Sequence, residues 1–182
     1  VSGNWSKSPS DEGNYMIRAT VEYEVNAPVL TVPAEDLYTN EQELTVEGTT
    51  VPGVDVAIFN NGEEGAVVQA DGEGKFAADI TLEYGENTLL ARITTERGYS
   101  APASEFLVIY DDTSPELTID SPKDGTKYNR EVITVIGKVV DDYLESVTVN
   151  GTKANVQGNE YSARIILDEG ENVITVVARD RA

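Results

Sequence analysis

The chain has 182 residues, with 33 acidic and 13 basic side chains, a formal charge of −20 at pH 7, no histidine and no cysteine. Such a charge repels nucleic acid and anionic membrane surfaces, so neither is an expected partner. Without His or Cys, the chain has no disulfides, no zinc–thiolate site, no Ser-His-Asp or Cys-His machinery and no histidine general base, and no apolar run approaches the roughly 20 residues of a membrane-spanning helix.

Helical periodicity is nearly absent. Short alternating segments separated by Gly, Asn, Asp and Pro predict an all-β sandwich fold. Residues 1–26 come first. GNYMIRATVEYEV, from Gly13 to Val25, reads as one long amphipathic strand with Trp5 upstream. A lone strand cannot bury its apolar face, so it is expected to be the last strand of a preceding β-domain or to pack on residues 27–112. No leader opens the sequence, which reads as a piece of something longer.

Residues 27–112 offer seven strands, near 28–33, 43–49, 54–60, 65–70, 75–83, 87–95 and 103–110. Seven short strands in this length is the count of an immunoglobulin-like sandwich. Asn61-Gly62 suits a tight hairpin, because both residues tolerate positive φ. Gly48 is expected to end a strand and mark a bend or bulge.

Residues 113–182 write the same text again. PVLTV at Pro28 matches PELTI at Pro115, and LTVEG ending at Gly48 matches ITVIG ending at Gly137. VAIFNNG ending at Gly62 matches VTVNG ending at Gly151, and GKFAADITL at Gly74 matches NEYSARIIL at Asn159. GENTLLARITT at Gly85 matches GENVITVVARD at Gly170. The offsets are 87, 89, 89, 85 and 85 in one unbroken order, which is the signature of two tandem copies of one fold. In the repeated phrase, Asn87, Leu89, Ala91 and Ile93 share one strand face, as do Asn172, Ile174, Val176 and Ala178, so Leu89 and Ile174 are expected to be buried equivalents. The second copy has no counterpart of ASEFLVIY (Ala103 to Tyr110), so its last strand is missing and a sheet edge is exposed.

The motifs SPKDGTKYN, ITVIGKVVDDYLESVTVNG and YSARIILDEGENVITVVARD resemble the bacterial Ig-like domains related to domain B of glucodextranase. GNYMIRATVEYEV is similar to the last strand of the jelly-roll domain that follows the catalytic unit in some secreted subtilisin-like proteases. The order, a jelly-roll tail and then Ig-like repeats, resembles the C-terminal region of the bacillopeptidase F family of Gram-positive bacteria. The resemblance implies three parts: residues 1–26 from a preceding β-domain, 27–112 as one Ig-like sandwich and 113–182 as a second. It also implies a non-catalytic stalk of a secreted or cell-wall-associated serine protease, with the upstream catalytic and jelly-roll domains as its partners. The family's catalytic triad has no counterpart in these residues.

Two candidate sites remain. Asp111 and Asp112, in YDDTSP at the repeat junction, could hold Ca²⁺, a cation that takes six to eight oxygens from flexible acidic loops. Two carboxylates supply too few, so Glu47, Asp141 or Asp142 would have to join them; the alternative is a solvated hinge. Asp141-Asp142 otherwise read as turn formers, and DGEGK (Asp71 to Lys75) as a hairpin turn rather than a calcium loop. Tyrosines in a row could stack cell-wall glycan or a protein partner. Tyr38 and Tyr128 match between the copies, as do Phe76 and Tyr161, and read as core; the unmatched Tyr84, Tyr99 and Tyr143 are the candidates for a binding surface. Carboxylates are abundant but strewn along turns, not paired across a cleft as glycoside hydrolysis requires, and no P-loop is present.

Overall fold

The computed structural model describes residues 26–182 except 96, 97, 101 and 104, and the strand expected at 13–25 lies outside them. The described residues form sixteen strands and no helix. The first nine are β1 (Val29–Val32), β2 (Leu37–Thr39), β3 (Glu43–Thr49), β4 (Asp55–Asn60), β5 (Glu63–Gln69), β6 (Lys75–Thr81), β7 (Gly85–Thr95), β8 (Gly98–Tyr99) and β9 (Phe106–Tyr110). They make two sheets, β1-β3-β6 and β2-β9-β7-β4-β5, with β8 hung on β7. The inner faces of these sheets meet in a core that includes Val46, Val56, Ile58, Phe76, Leu82, Leu89 and Val108. All seven expected strands are present. The unexpected β2 and β8 have three and two residues, too short for alternation to show. Both exist because a neighbour offers an edge: β2 pairs in parallel with β9, and β8 folds back on β7.

The second sandwich follows the same plan with β10 (Glu116–Ser121), β11 (Val132–Val140), β12 (Leu144–Val149), β13 (Thr152–Lys153), β14 (Asn155–Gln157), β15 (Glu160–Ile166) and β16 (Val176–Asp180). Its sheets are β10-β11-β15-β14 and β13-β12-β16, closed over Ile133, Val135, Val139, Val147, Val149, Tyr161 and Ile165. The equivalent of β5 is split. β13 pairs with β12, the chain crosses between sheets at buried Ala154, and β14 pairs with β15. Neither β9 nor β2 has a counterpart among the described residues. Tyr128 therefore lies in a loop, whereas Tyr38 is in β2. An open groove of about 1400 Å³ separates the loop that carries Tyr128 from residues 166–174.

The matching motifs do matching work. Asn61-Gly62 and Asn150-Gly151 all have positive φ, as the hairpins after β4 and β12 need. Gly48 and Gly137, however, do not end strands; each is buried inside one, in β3 and β11. Gly48 lies opposite Phe76 and Gly137 opposite Tyr161, and a Cβ at either would overlap the facing ring and a backbone carbonyl of the adjoining strand. A bulge does lie beside each glycine, with the extra residue on the partner strand: register shifts just after Leu30 opposite Gly48 and just after Ile119 opposite Gly137. The glycines are there so that an aromatic ring can lie flat across the strand.

The GEN phrase is a turn staple. Asn87 is fully buried; its Oδ1 accepts from Glu83 N at 2.8 Å, and its Nδ2 donates to the carbonyls of Glu83 at 2.8 Å and Gly85 at 2.9 Å. Asn172 makes the same three bonds with Asp168 and Gly170. Beyond this turn the copies part by two residues. The Asn61 side chain accepts from Thr88 N, and the Asn150 side chain accepts from Thr175 N. Leu89 stands opposite Asn60 and Val176 opposite Val149, the corresponding end of the partner strand. The equivalent of Leu89 is therefore Val176, not Ile174. Ile174 and Val176 are only half buried, while Leu89 is fully enclosed. An insertion of two residues keeps every side chain on its own face, so the alternation survives the shift.

Candidate functional site: the junction between the sandwiches

β9 ends in Tyr110 and passes Asp111 and Asp112 into the junction. Asp111 stays in the edge of the first sandwich, where its N–H donates to Thr39 O at 3.0 Å. It is 1% exposed. Its Oδ1 accepts from the backbone N–H of Thr113 at 2.9 Å and from the Thr113 hydroxyl at 2.6 Å. Its Oδ2 is buried and has no hydrogen-bond partner. Asp112 faces outward and accepts from the Tyr110 hydroxyl at 2.9 Å.

From the second sandwich, the turn after β11 brings Asp141 and Asp142. Asp141 is a turn former as expected, its Oδ1 accepting from Tyr143 N at 2.9 Å, and its Oδ2 is likewise buried and unpartnered. Asp142 takes a long contact of 3.5 Å from the Tyr84 hydroxyl, which also lies 3.4 Å from the Thr113 hydroxyl. Aromatic rings close the joint. Tyr38 meets Tyr143 edge-on at 6.2 Å, and Tyr84 meets Tyr110 at 6.4 Å. Arg181 donates to the Tyr38 hydroxyl at 2.8 Å, with its guanidinium 5.3 Å from that ring's centroid. The joint is thus an aromatic contact wrapped around acidic side chains from both halves.

The electrostatics follow from that placement. Burial pushes the Asp141 carboxyl up; the Tyr143 N–H opposes this, and the charges of Asp111, Asp180 and Asp142 add to it. At Tyr84 the hydrogen bond with Thr113 favours the phenolate, but burial and the charges of Asp111 and Asp142 outweigh it and raise the hydroxyl. Burial, then Glu86 and other acidic neighbours, raise Tyr143. Negative charge is disfavoured at Asp141, Tyr84 and Tyr143.

Of the residues expected to form a metal site, the structure brings Asp111 and Asp141 to the junction with one free oxygen each. Asp112 is turned to Tyr110, and Glu47 stands exposed in β3 opposite Ala77. Among the described residues no three carboxylates converge closely enough to hold an ion by themselves. Asp71 to Lys75 is the expected hairpin turn, with Asp71 Oδ1 accepting from the N–H groups of Glu73 and Lys75. These bonds hold the Asp71 carboxyl below its ordinary value. The unmatched tyrosines do not form one platform. Tyr84 and Tyr143 are spent on the joint, while Tyr99 sits at the other end of β7, edge-on to Phe59 at 5.3 Å and bonded to Glu64. The stapling role of Asn87 was missed in the sequence; its signal was a polar residue at a core-facing position, used twice.

The halves share a strand order, an aromatic-over-glycine contact and an Asn-stapled turn. Residues 115–182 match the family model "Glucodextranase, domain B". The matched segment is the second sandwich, and the first is built to the same Ig-like plan. Over its whole length the chain is 45% identical to "Bacillopeptidase F" of Bacillus subtilis (strain 168), of which it spans 13%. Among solved structures it is similar to the fibronectin(III)-like modules of Clostridium thermocellum CbhA, with 18% identity, a TM-score of 0.48, and 84% of this chain and 85% of that one covered. It is also similar to XAC1771, a carbohydrate acetylesterase from Xanthomonas citri, with 22% identity and a TM-score of 0.35 over 46% of this chain and 19% of that one.

Proposed function

We propose that the chain is a non-catalytic spacer of a secreted or cell-wall-associated subtilisin-like serine protease of the bacillopeptidase F kind. In this role it holds the upstream catalytic and jelly-roll domains of the same chain at a set distance and angle. The observation that carries the reading is the whole-length identity to a segment of that relative. The joint supports it: paired rings and the Arg181–Tyr38 bond link the sandwiches directly, so the angle does not depend on a bare linker. The residues along 27–112 and 113–182 act as two separate Ig-like units in this arrangement. Nothing in the joint presents a nucleophile with a base, so the fragment is expected to cleave neither peptide nor glycoside substrates.

Sedimentation with purified Gram-positive cell walls tests this against the alternative of a glycan- or protein-binding module. A spacer stays in the supernatant, and small-angle scattering reports one fixed inter-sandwich distance. Saturable co-sedimentation, lost on substituting Tyr84 or Tyr99, would make the chain a binder instead.

A further inference from the structure

We propose that Asn150 is a site of spontaneous deamidation in the folded chain, and that its twin in the first sandwich, Asn61, is spared. Each asparagine precedes a glycine in a tight hairpin, and both residues of each pair are exposed. Asparagine is chemically labile, and the reaction needs no reagent but water. The backbone nitrogen of Gly151 attacks Cγ of Asn150 and gives up its proton, ammonia leaves, and a five-membered succinimide remains. Water then opens the ring at either carbonyl, to aspartate or to isoaspartate. A glycine nitrogen is the least hindered nucleophile for this step, since no Cβ stands beside it.

The folded turn opposes the attack. The Asn150 side chain is tied across to the neighbouring segment: Oδ1 accepts from Thr175 N at 2.7 Å, and Nδ2 donates to the Val173 carbonyl at 3.3 Å. Asn61 makes the same two bonds, accepting from Thr88 N at 2.9 Å and donating to the Glu86 carbonyl at 3.3 Å. An amide engaged at both ends is not free to approach the next nitrogen, so the rate follows local opening of the turn. What differs is the support behind the bonds. Glu86 and Thr88 lie in β7, laddered to Ile109 and Leu107 of β9, on either side of the fully buried Asn87. Val173 and Thr175 lie in no strand, Val173 is 78% exposed, and the second staple, Asn172, is only half buried. Few ladder bonds and little burial make this the cheaper turn to open. A carboxylate at position 150 has no donor for the Val173 carbonyl, and isoaspartate adds a methylene to the turn between β12 and β13. Residues 173–175 thereby lose an anchor.

The test is ageing of the intact folded chain at mildly alkaline pH, followed by tryptic digestion and mass spectrometry. Asn150 is the one asparagine in the fragment from Val139 to Lys153. Digestion after glutamate releases Gly48 to Glu63, within which fragmentation distinguishes Asn61 from Asn60. The expected result is aspartate and isoaspartate forming at 150 about tenfold or more faster than at 61, the ratio given by a turn ~1.4 kcal/mol cheaper to open. In urea the two sites should react at similar rates, which isolates the fold as the cause. Hydrogen exchange reads the opening on the unaged chain, where the Thr175 amide should exchange correspondingly faster than the Thr88 amide. Asn61 keeping pace with Asn150 in the folded chain overturns the proposal. So does a folded Asn150 that stays amidated while the unfolded chain reacts, and so does a Thr175 amide as well protected as that of Thr88. A rate difference that persists in urea would place the cause in the local sequence and overturn it as well.

Discussion

In the first sandwich β7 runs for 11 residues, because β9 pairs with its first half and β4 with its second. In the second, β16 is 5 residues long, because β12 is its partner and, among the described residues, no strand like β9 lies beside residues 170–175. The two segments alternate equally well in sequence. Partners, not propensity, set the length of a strand, since an unpaired stretch gains neither ladder bonds nor cover for its inner face. The same difference leaves the second copy, among the described residues, without a counterpart of β2.

Core truncation should separate the two sandwiches most sharply. Leu89→Ala empties a fully enclosed position and should cost ~2–5 kcal/mol of the first sandwich's stability, as large-to-small core changes do. Its structural counterpart Val176→Ala, half buried, should cost roughly 1 kcal/mol. Denaturant unfolding of both variants checks the pair, and equal losses would break the comparison. Gly48→Ala and Gly137→Ala, by contrast, should behave alike, because the same ring-over-glycine contact is overfilled in each; about 1–3 kcal/mol is the scale of such overpacking. Two separate calorimetric transitions, one shifted in each variant, would show it. Asn87→Ala should destabilise by about 1–3 kcal/mol, because it leaves buried backbone groups unpaired, and the more exposed Asn172→Ala by less.

The smallest effect concerns the joint. The folded-state carboxyl of Asp141 is raised, so its contribution is fully present below the ordinary Asp value near ~3.9 and is lost as pH rises through the raised one. Asp141→Asn should flatten that part of the pH–stability profile and leave the variant slightly more stable than the parent at neutral pH. Thermal melts at stepped pH measure it, and an unchanged slope would mean that Asp141 is not the titrating group.

The fold was legible because alternation and turn chemistry agreed everywhere: every expected strand from 28 to 110 is present, and both Asn-Gly hairpins have the backbone they imply. Other features were not legible, for definite reasons. The displacement of Val176 into the place of Leu89 is a slip of two residues, to which a period of two is blind. The buried role of Gly48 depends on which residue faces it across the sheet, and register is not written in either strand alone. Asp111 was legible as a junction residue, but its free oxygen, and the matching one on Asp141, emerge only when two turns distant in sequence pack together.

The parallel pairing of β2 with β9 has a mechanical consequence. Leu37, Tyr38 and Thr39 align with Val108, Ile109 and Tyr110, and the Asp111 N–H bond to Thr39 extends the ladder. Tension carried along the chain pulls β2 and β9 in opposite directions along their shared axis. The load falls on those bonds in shear, so that they must give way together rather than unzip one after another. The described part of the second sandwich has no such bolt. Stretching single molecules should therefore show the first sandwich yielding at the higher force.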